Sequence, residues 1–401
     1  MSSKLTIGQD PVPPLVKAYL DGLLPEGNAR VNYALSAELV VEDTYGLIEF
    51  YGKDTPGATI FVPRGSPDPT SAGRYKALPL DEVAGRLRRA DQLQPASPAE
   101  TTESSTLPGM VPKITLHRDG QQWFACLDGA PSTWILKRSA PAGTAAADVV
   151  DTEVASLAIA RKLGLTTIDA EVLDFGDMRA IAVSRYDRTA GNGRLHQEDL
   201  AQALGLNTDN PNRKFQWGST MPSLRQAAEV LRLDGGDVGQ LLQQVTLSFL
   251  LGNTDLHAKN ISFLRHDTGQ VELTPAYDIA MHLHHPRGER RFAMDLNGKH
   301  RMDDLTVLDV TDEGISWGLE PQRARRLAGQ VVEGTAETVA WIDRDAHPGV
   351  SQAAWACVQE RIQAAEHLLP RPAKARTRST TKRSGEAVGQ APLRRGPRRP
   401  R

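Results

Sequence analysis

A mainly β N-lobe followed by a mainly α C-lobe, an α+β arrangement, is what the order of apolar patterns along these 401 residues predicts. Short β-branched and aromatic runs crowd between Lys113 and Ser184, one amphipathic stretch interrupts them, and helical periodicity dominates after Arg194. Hydrophobic residues at 40% and charged residues at 24% belong to a globular chain rather than a disordered one. No run of eighteen apolar residues occurs, and Met1–Asp10 lacks the apolar core of a signal peptide, so a cytoplasmic protein without a membrane segment is expected. Cys126 and Cys357 stand alone, without the companion spacing of a zinc site or a disulfide framework.

Residues 1–63 read as a small first subdomain. Pro11-Val-Pro-Pro precedes Leu15, Tyr19, Leu20, Leu23 and Leu24 at helical spacing, with Pro25 and Gly27 as stops. Residues 64–108, rich in Pro, Gly, Ser and Thr, read as linker and loop around one helix over 80–87. Residues 109–195 make the N-lobe, with strands over 113–117, 123–127, 133–137, 170–174 and 180–184. Its helix, over 146–163, sets Val150, Val154, Leu157, Ala158 and Leu163 on one face and stops at Gly164. Residues 196–370 make the helical C-lobe, with helices over 197–204, 223–231, 238–251, 321–342 and 352–368. Residues 371–401 hold eleven Lys or Arg against one acid, Glu386, so a basic, disordered tail follows a body of formal charge −12.

Polar residues with chemistry in them concentrate where the 238–251 helix ends. Gly252-Asn-Thr-Asp-Leu-His-Ala-Lys-Asn sets Asp255 and Asn260 five apart, the spacing of a kinase catalytic loop. There the Asp accepts the substrate hydroxyl proton and the Asn binds magnesium. Leu273-Thr-Pro-Ala-Tyr-Asp-Ile puts Asp278 just after a strand, where such a site keeps its second metal-binding Asp. Oxygen ligands from two loops suit a hard ion, Mg²⁺, which keeps waters and shares phosphate oxygens. Either Asp255 or Asn260 alone is equally an Asx turn; Asp, His, Lys and Asn together beside a second Asp loop are poorly explained that way. Lys137 ends Thr133-Trp-Ile-Leu-Lys, as a strand lysine that grips α- and β-phosphates does, and the next helix offers Glu153 as its partner, with Asp148 and Asp151 as competitors. A solvated edge charge is the ordinary alternative. Thr106-Leu-Pro-Gly-Met-Val-Pro-Lys is a turn entering the first strand of the sheet, neither a Walker loop nor G-x-G-x-x-G. Gly109 would let backbone amides approach a phosphate, and Lys113 adds charge.

In this order the chain resembles the HipA family of bacterial toxin kinases across residues 12–368. The matching words are Leu20-Asp-Gly-Leu-Leu-Pro-Glu-Gly, Leu107-Pro-Gly-Met-Val-Pro-Lys, Trp134-Ile-Leu-Lys, Ser184-Arg-Tyr-Asp-Arg and Arg194-Leu-His-Gln-Glu-Asp, then the Gly252 and Leu273 words and Ala293-Met-Asp-Leu-Asn-Gly. The resemblance implies a bilobal, protein-kinase-like fold and an ATP- and Mg²⁺-dependent serine/threonine protein kinase, the toxin of a toxin–antitoxin module. It implies that Pro108, Gly109, Met110, Val111, Pro112 and Lys113 cover the nucleotide phosphates, that Lys137 contacts them, and that Ser184, Arg185 and Tyr186 form the hinge at the adenine. Asp255 would accept the proton; His257, Ala258, Lys259 and Asn260 would contact ATP and metal; Tyr277 and Asp278 would complete the site, with Asn260 and Asp278 as the metal ligands. Autophosphorylation of a phosphate-loop serine in the family maps to Thr106, with Ser105 and Ser104 adjacent. The implied partners are a HipB-like helix-turn-helix antitoxin, through which any DNA contact is indirect, and an aminoacyl-tRNA synthetase as protein substrate. Family members begin with strands ahead of the Leu-Leu-Pro-Glu-Gly helix, so the first subdomain is expected to be truncated, its strands lost or supplied by a separate small protein. A small-molecule kinase and a catalytically silent scaffold that binds an antitoxin are the alternatives.

Overall fold

The computed structural model describes residues 12–90, 105–109, 111–140, 147–208, 210–217 and 222–369, with Lys4 and Thr144. Ser104, Met110 and the basic tail lie outside the described residues. Pro13, at the first helical position, and the apolar stripe behind it start α1 (Pro13–Leu23). It packs with α2 (Gly27–Ser36) and α3 (Thr44–Tyr51) around Leu23, Leu24, Leu47 and Ile48. The sequence pattern announces only the first of these helices, since α2 buries Ala34 alone.

The stretch read as a linker holds the helix expected over 80–87, as α4 (Leu80–Ala90), and adds a strand that the pattern did not announce, β1 (Arg74–Leu78). Only Leu78 of β1 is fully buried, and the polar composition of a sheet edge is what made the segment look like loop. Next come β2 (Lys113–Asp119), β3 (Gln122–Leu127), β4 (Trp134–Arg138), α5 (Val149–Lys162), β5 (Ala170–Asp174) and β6 (Arg179–Ser184). The strands form one antiparallel sheet in the order β1-β3-β2-β4-β6-β5. Alternation sends Leu116, Leu136 and Ala182 into a core with Val83 and Leu87 of α4. Ile135, Ile181 and Val183 join Val150, Val154 and Leu157 of α5 in a second core. The β2–β4 register sets Lys113 directly across from Lys137.

The helix expected over 197–204 opens as a strand, β7 (Gln197–Asp199), because Asp199 and Gln202 close a capping box that starts α6 (Leu200–Leu204) only there. Then follow α7 (Leu224–Leu233), α8 (Val238–Leu251), β8 (Ser262–Arg265), β9 (Val271–Leu273), β10 (Arg291–Leu296), β11 (Lys299–Arg301), α9 (Val307–Ser316), α10 (Pro321–Trp341) and α11 (Gln352–Leu368). Strands β7, β8 and β9 make a small antiparallel sheet, and β10 pairs with β11. Helix α8 is buried along almost its whole length, and α9, α10 and α11 pack around it. Gly252 ends it at φ +67°, where a Cβ would stand 2.8 Å from Leu283, so the chain turns sharply into loop 253–260. No described helix is long and apolar enough to cross a membrane.

Candidate functional site

Loop 253–260 is locked through its own backbone. Asp255 N donates to Oδ1 of the buried Asn253 at 3.0 Å, while Asn260 Nδ2 and His257 N both donate to Asp255 O at 2.8 Å. The fixed backbone turns the Asp255 carboxylate outward, with 47% of its side chain exposed and His257 Nε2 3.9 Å away. Protein walls its remaining sides, so burial, and then the charge of Asp278, pushes Asp255 up to about 7. His257 lies buried, edge-on to Phe215, and burial brings its imidazole down to about 3, which keeps it neutral.

From β4, Lys137 reaches Glu153 of α5 at 2.9 Å and Asp278 at 2.5 Å. The competitors of Glu153 are occupied elsewhere: Asp151 pairs with Arg179 at 2.5 Å and Asp148 with two histidines. Burial opposes charge on all three groups. The facing charges win at Lys137, which is raised, and at Asp278, which is held well below the carboxylate range, whereas burial wins at Glu153 and raises it. Asp278 sits at φ +53°, a conformation rare for a side-chain-bearing residue and one that clusters at functional sites.

Lys113 folds back over Gly109 to donate to Pro108 O at 2.6 Å. Gly109 holds φ +112°, a conformation that strains a residue with a side chain, and a Cβ there would also push aside the Lys113 ammonium, 2.6 Å away. Burial and the neighbouring Lys137 bring Lys113 down to about 8. Gly109 O accepts from Glu26 N at 3.1 Å, and the Glu26 carboxylate holds Lys214 at 3.1 Å and Lys259 at 3.2 Å. The Lys259 ammonium is therefore committed to Glu26 and Gly22 O, while Ala258 is fully buried beside it.

At the expected hinge, Ser184 exchanges hydrogen bonds with the Asp169 backbone, and the Arg185 guanidinium is buried among Asp187, Ser132 and Thr55 O. Tyr186 alone sends a ring toward the other lobe, 5.6 Å from that of Tyr277. Tyr277 accepts from Ser262 at 2.6 Å and donates to Lys259 O at 2.8 Å, which ties the Asp278 segment to loop 253–260. Thr106 is fully buried, its hydroxyl donating to Leu23 O at 3.1 Å, and Ser105 donates to Asp54 Oδ2 at 3.0 Å. Asp54, itself buried, also takes Ser132, Arg188 and Arg194 at 2.6, 2.8 and 3.0 Å. Val111 is exposed and Pro112 half-buried. Sequence reasoning overlooked Glu26, Lys214 and Asn253. Glu26 stood in one of the matching words, but nothing near it in the chain points to two lysines as its partners.

A strand lysine paired to a helix glutamate in a β lobe, above Asp-to-Asn and Asp loops in a helical lobe, defines an α+β, bilobal, protein-kinase-like fold. The chain belongs to the HipA family: residues 105–339, more than half of it, match the HipA-like C-terminal domain. It is similar to the serine/threonine-protein kinase toxin HipA of Shewanella oneidensis, 26% identical over 345 residues that cover 81% of this chain and 77% of that protein. A putative kinase of Sinorhizobium fredii is 27% identical over 342 residues, 82% of this chain and 79% of the relative. Among solved structures, the Shewanella oneidensis toxin–antitoxin complex of HipA, HipB and operator DNA contains a chain of the same fold, with a TM-score of 0.74, 22% identity, and coverage of 91% of this chain and 88% of that one.

Proposed function

We propose that this chain is an ATP- and Mg²⁺-dependent serine/threonine protein kinase of HipA type, and the toxin of a toxin–antitoxin module. The observation that carries the proposal is the convergence of Lys137, Glu153 and Asp278 beside an outward-facing Asp255 whose carboxyl sits near 7. The donor set suits Mg²⁺: Asn260 spends its Nδ2 on Asp255 O and keeps its amide oxygen, and Asp278 spends one oxygen on Lys137 with 42% of its side chain exposed. Bound there, Mg²⁺ and ATP supply the γ-phosphoryl group and neutralise its charge. Lys137 and Lys113 draw the phosphates toward the Gly109 turn, Tyr186 and the 184–186 backbone meet the adenine, and Asp255 takes the proton from an incoming Ser or Thr hydroxyl.

Ser104, Ser105 and Thr106 are the candidates for autophosphorylation. The hydroxyls of Ser105 and Thr106 are held by Asp54 and Leu23, so the turn must come out to be modified. A phosphate of about −1.5 to −2 charge would then stand beside a site that must admit the triphosphate, and would repel it. The Shewanella relative's complex with HipB and operator DNA supports a HipB-like antitoxin as partner, and any DNA contact is proposed to run through that antitoxin. An aminoacyl-tRNA synthetase is the proposed substrate.

The test is γ-phosphate transfer by wild type, Asp255→Gln and Asp278→Asn with candidate synthetases present. Each variant should lose at least ~10²-fold, because each removes preorganised positioning or charge. Activity within a fewfold of wild type sinks the residue assignments. Labelling of a metabolite alone means a small-molecule kinase, and ATP-dependent thermal stabilisation without transfer means a silent scaffold.

A further inference from the structure

Beyond Asp278 the chain runs beside α5 and touches it repeatedly. Met281 N donates to Thr152 Oγ1 at 3.2 Å, and His284 Nε2 and His285 Nε2 reach the two oxygens of Asp148 at 2.8 and 3.0 Å. Asp148 stands at the N-cap of α5, where an aspartate ordinarily accepts from the first-turn amides. Its side chain makes no such capping bond and is turned to the histidines instead.

Three features set this cluster apart from a hydrogen-bonded cap. One donor atom from each of Asp148, His284 and His285 lies within 4.8 Å of the others, which is close enough for a single ion to touch all three. The side chains are 18%, 5% and 15% exposed, so water satisfies them poorly. Finally, His285 Nε2 and Asp148 Oδ1 are buried and face each other at 3.0 Å, yet neither makes a hydrogen bond. Asp148 Oδ2 is hydrogen-bonded to His284 Nε2 at 2.8 Å, which leaves the Asp148 Oδ1 and His285 Nε2 lone pairs to share an ion. Tetrahedral bonds of about 2.0–2.1 Å need ligand atoms about 3.3 Å apart, so the donor atoms, which lie within 4.8 Å of one another, reach an ion by a local side-chain rearrangement.

We propose that Asp148, His284 and His285 bind a divalent transition-metal ion of the Zn²⁺ class, separate from the nucleotide's Mg²⁺, which clasps the start of α5 to the segment after Asp278. Two imidazoles and one carboxylate select such an ion over Mg²⁺ or Ca²⁺, which prefer oxygen throughout. Three protein ligands leave a fourth position for water. The clasp lies on the helix that presents Glu153 to Lys137, so the ion holds that pair in register. Binding requires no phosphoryl transfer, and the site stands or falls apart from the kinase reading.

The experiment uses the full chain, stripped with a chelator and kept in excess Mg²⁺ to occupy the hard-oxygen site. Zn²⁺ affinity is measured by competition with a chromophoric chelator, and Co²⁺ is added to read its visible ligand-field bands. The proteins are wild type, the Asp278→Asn variant, the His284→Asn/His285→Asn pair, and His266→Asn, a histidine beside Glu272 on the β8–β9 hairpin. One ion per chain, cobalt bands of low-symmetry coordination and a raised melting temperature are expected for wild type, Asp278→Asn and His266→Asn. The paired variant, with its fold verified by circular dichroism, should bind more weakly by more than the ~10–100-fold that loss of an outer partner costs. Absence of cobalt bands in folded wild type overturns the site. So does stoichiometric binding that survives the paired variant, or that disappears equally in His266→Asn.

Discussion

Replacing Glu26 by Gln strands two ammonium groups, because Lys214 and Lys259 both use that carboxylate and their side chains are 7% and 4% exposed. Breaking a buried ion pair by removing one partner costs about 3–5 kcal/mol, since the remaining charge has neither water nor counter-ion. Unfolding entropy of about 2.1 cal/mol/K per residue over the unit Met1–Pro370 makes this a fall of ~4–6 °C in melting temperature. Differential scanning fluorimetry reads it directly, with tryptophan-monitored urea unfolding as a second measure. Burial acts to raise Glu26, but Lys259 and Lys214 outweigh it and leave the carboxyl below its ordinary 4.5. Its contribution is therefore complete above that value and fades as pH falls through the lower folded one, so wild type and variant should converge in acid. Replacing all three groups by apolar residues, Glu26→Leu with Lys214→Met and Lys259→Met, should recover most of the loss. A single variant that melts within 1 °C of wild type, or a gap unchanged from neutral pH to acid, would refute the reasoning.

Two other expectations concern the cleft. Phosphoryl transfer should rise with pH through about 7 as Asp255 loses its proton and fall above about 8 as Lys113 loses its own, and Lys113→Met should abolish only the alkaline limb of kcat/KM. Gly109→Ala forces a side chain into φ +112°, a strain of about 1–3 kcal/mol, so the melting temperature without ATP should fall by ~1–4 °C and ATP-dependent thermal stabilisation should weaken ~10-fold in apparent affinity as the turn shifts to relieve the strain.

The site was legible where its residues lie close in the chain. Asp255 and Asn260 share one loop, and its geometry follows from local turns that side-chain type predicts. Strands β2 to β6 and helices α5 and α8 were equally readable, since alternation or helical spacing of apolar residues marks each. What escaped depends on distance along the chain or on weak patterning. Arg74-Tyr-Lys-Ala-Leu is polar because it is an edge, and only the tertiary fold reveals it as a strand. Glu153 could not be told from Asp148 and Asp151 until α5 was wound, at which point helical rotation gave each acid its own partner. Glu26 meets Lys259 and Lys214 only after three segments have come together, and no spacing rule spans that separation.

The burial of α8 carries a mechanical implication. A helix enclosed on nearly every side releases its amide protons only when the whole unit opens, so α8, which leads into the Asp255 loop, should be among the most slowly exchanging parts of the molecule. Among the described residues the Gly109 turn is anchored chiefly by Glu26, Asp54 and Leu23, so a smaller fluctuation should free it. Deuterium uptake should accordingly be lopsided across the cleft, with an anvil that stays still on one side and a hammer that swings on the other.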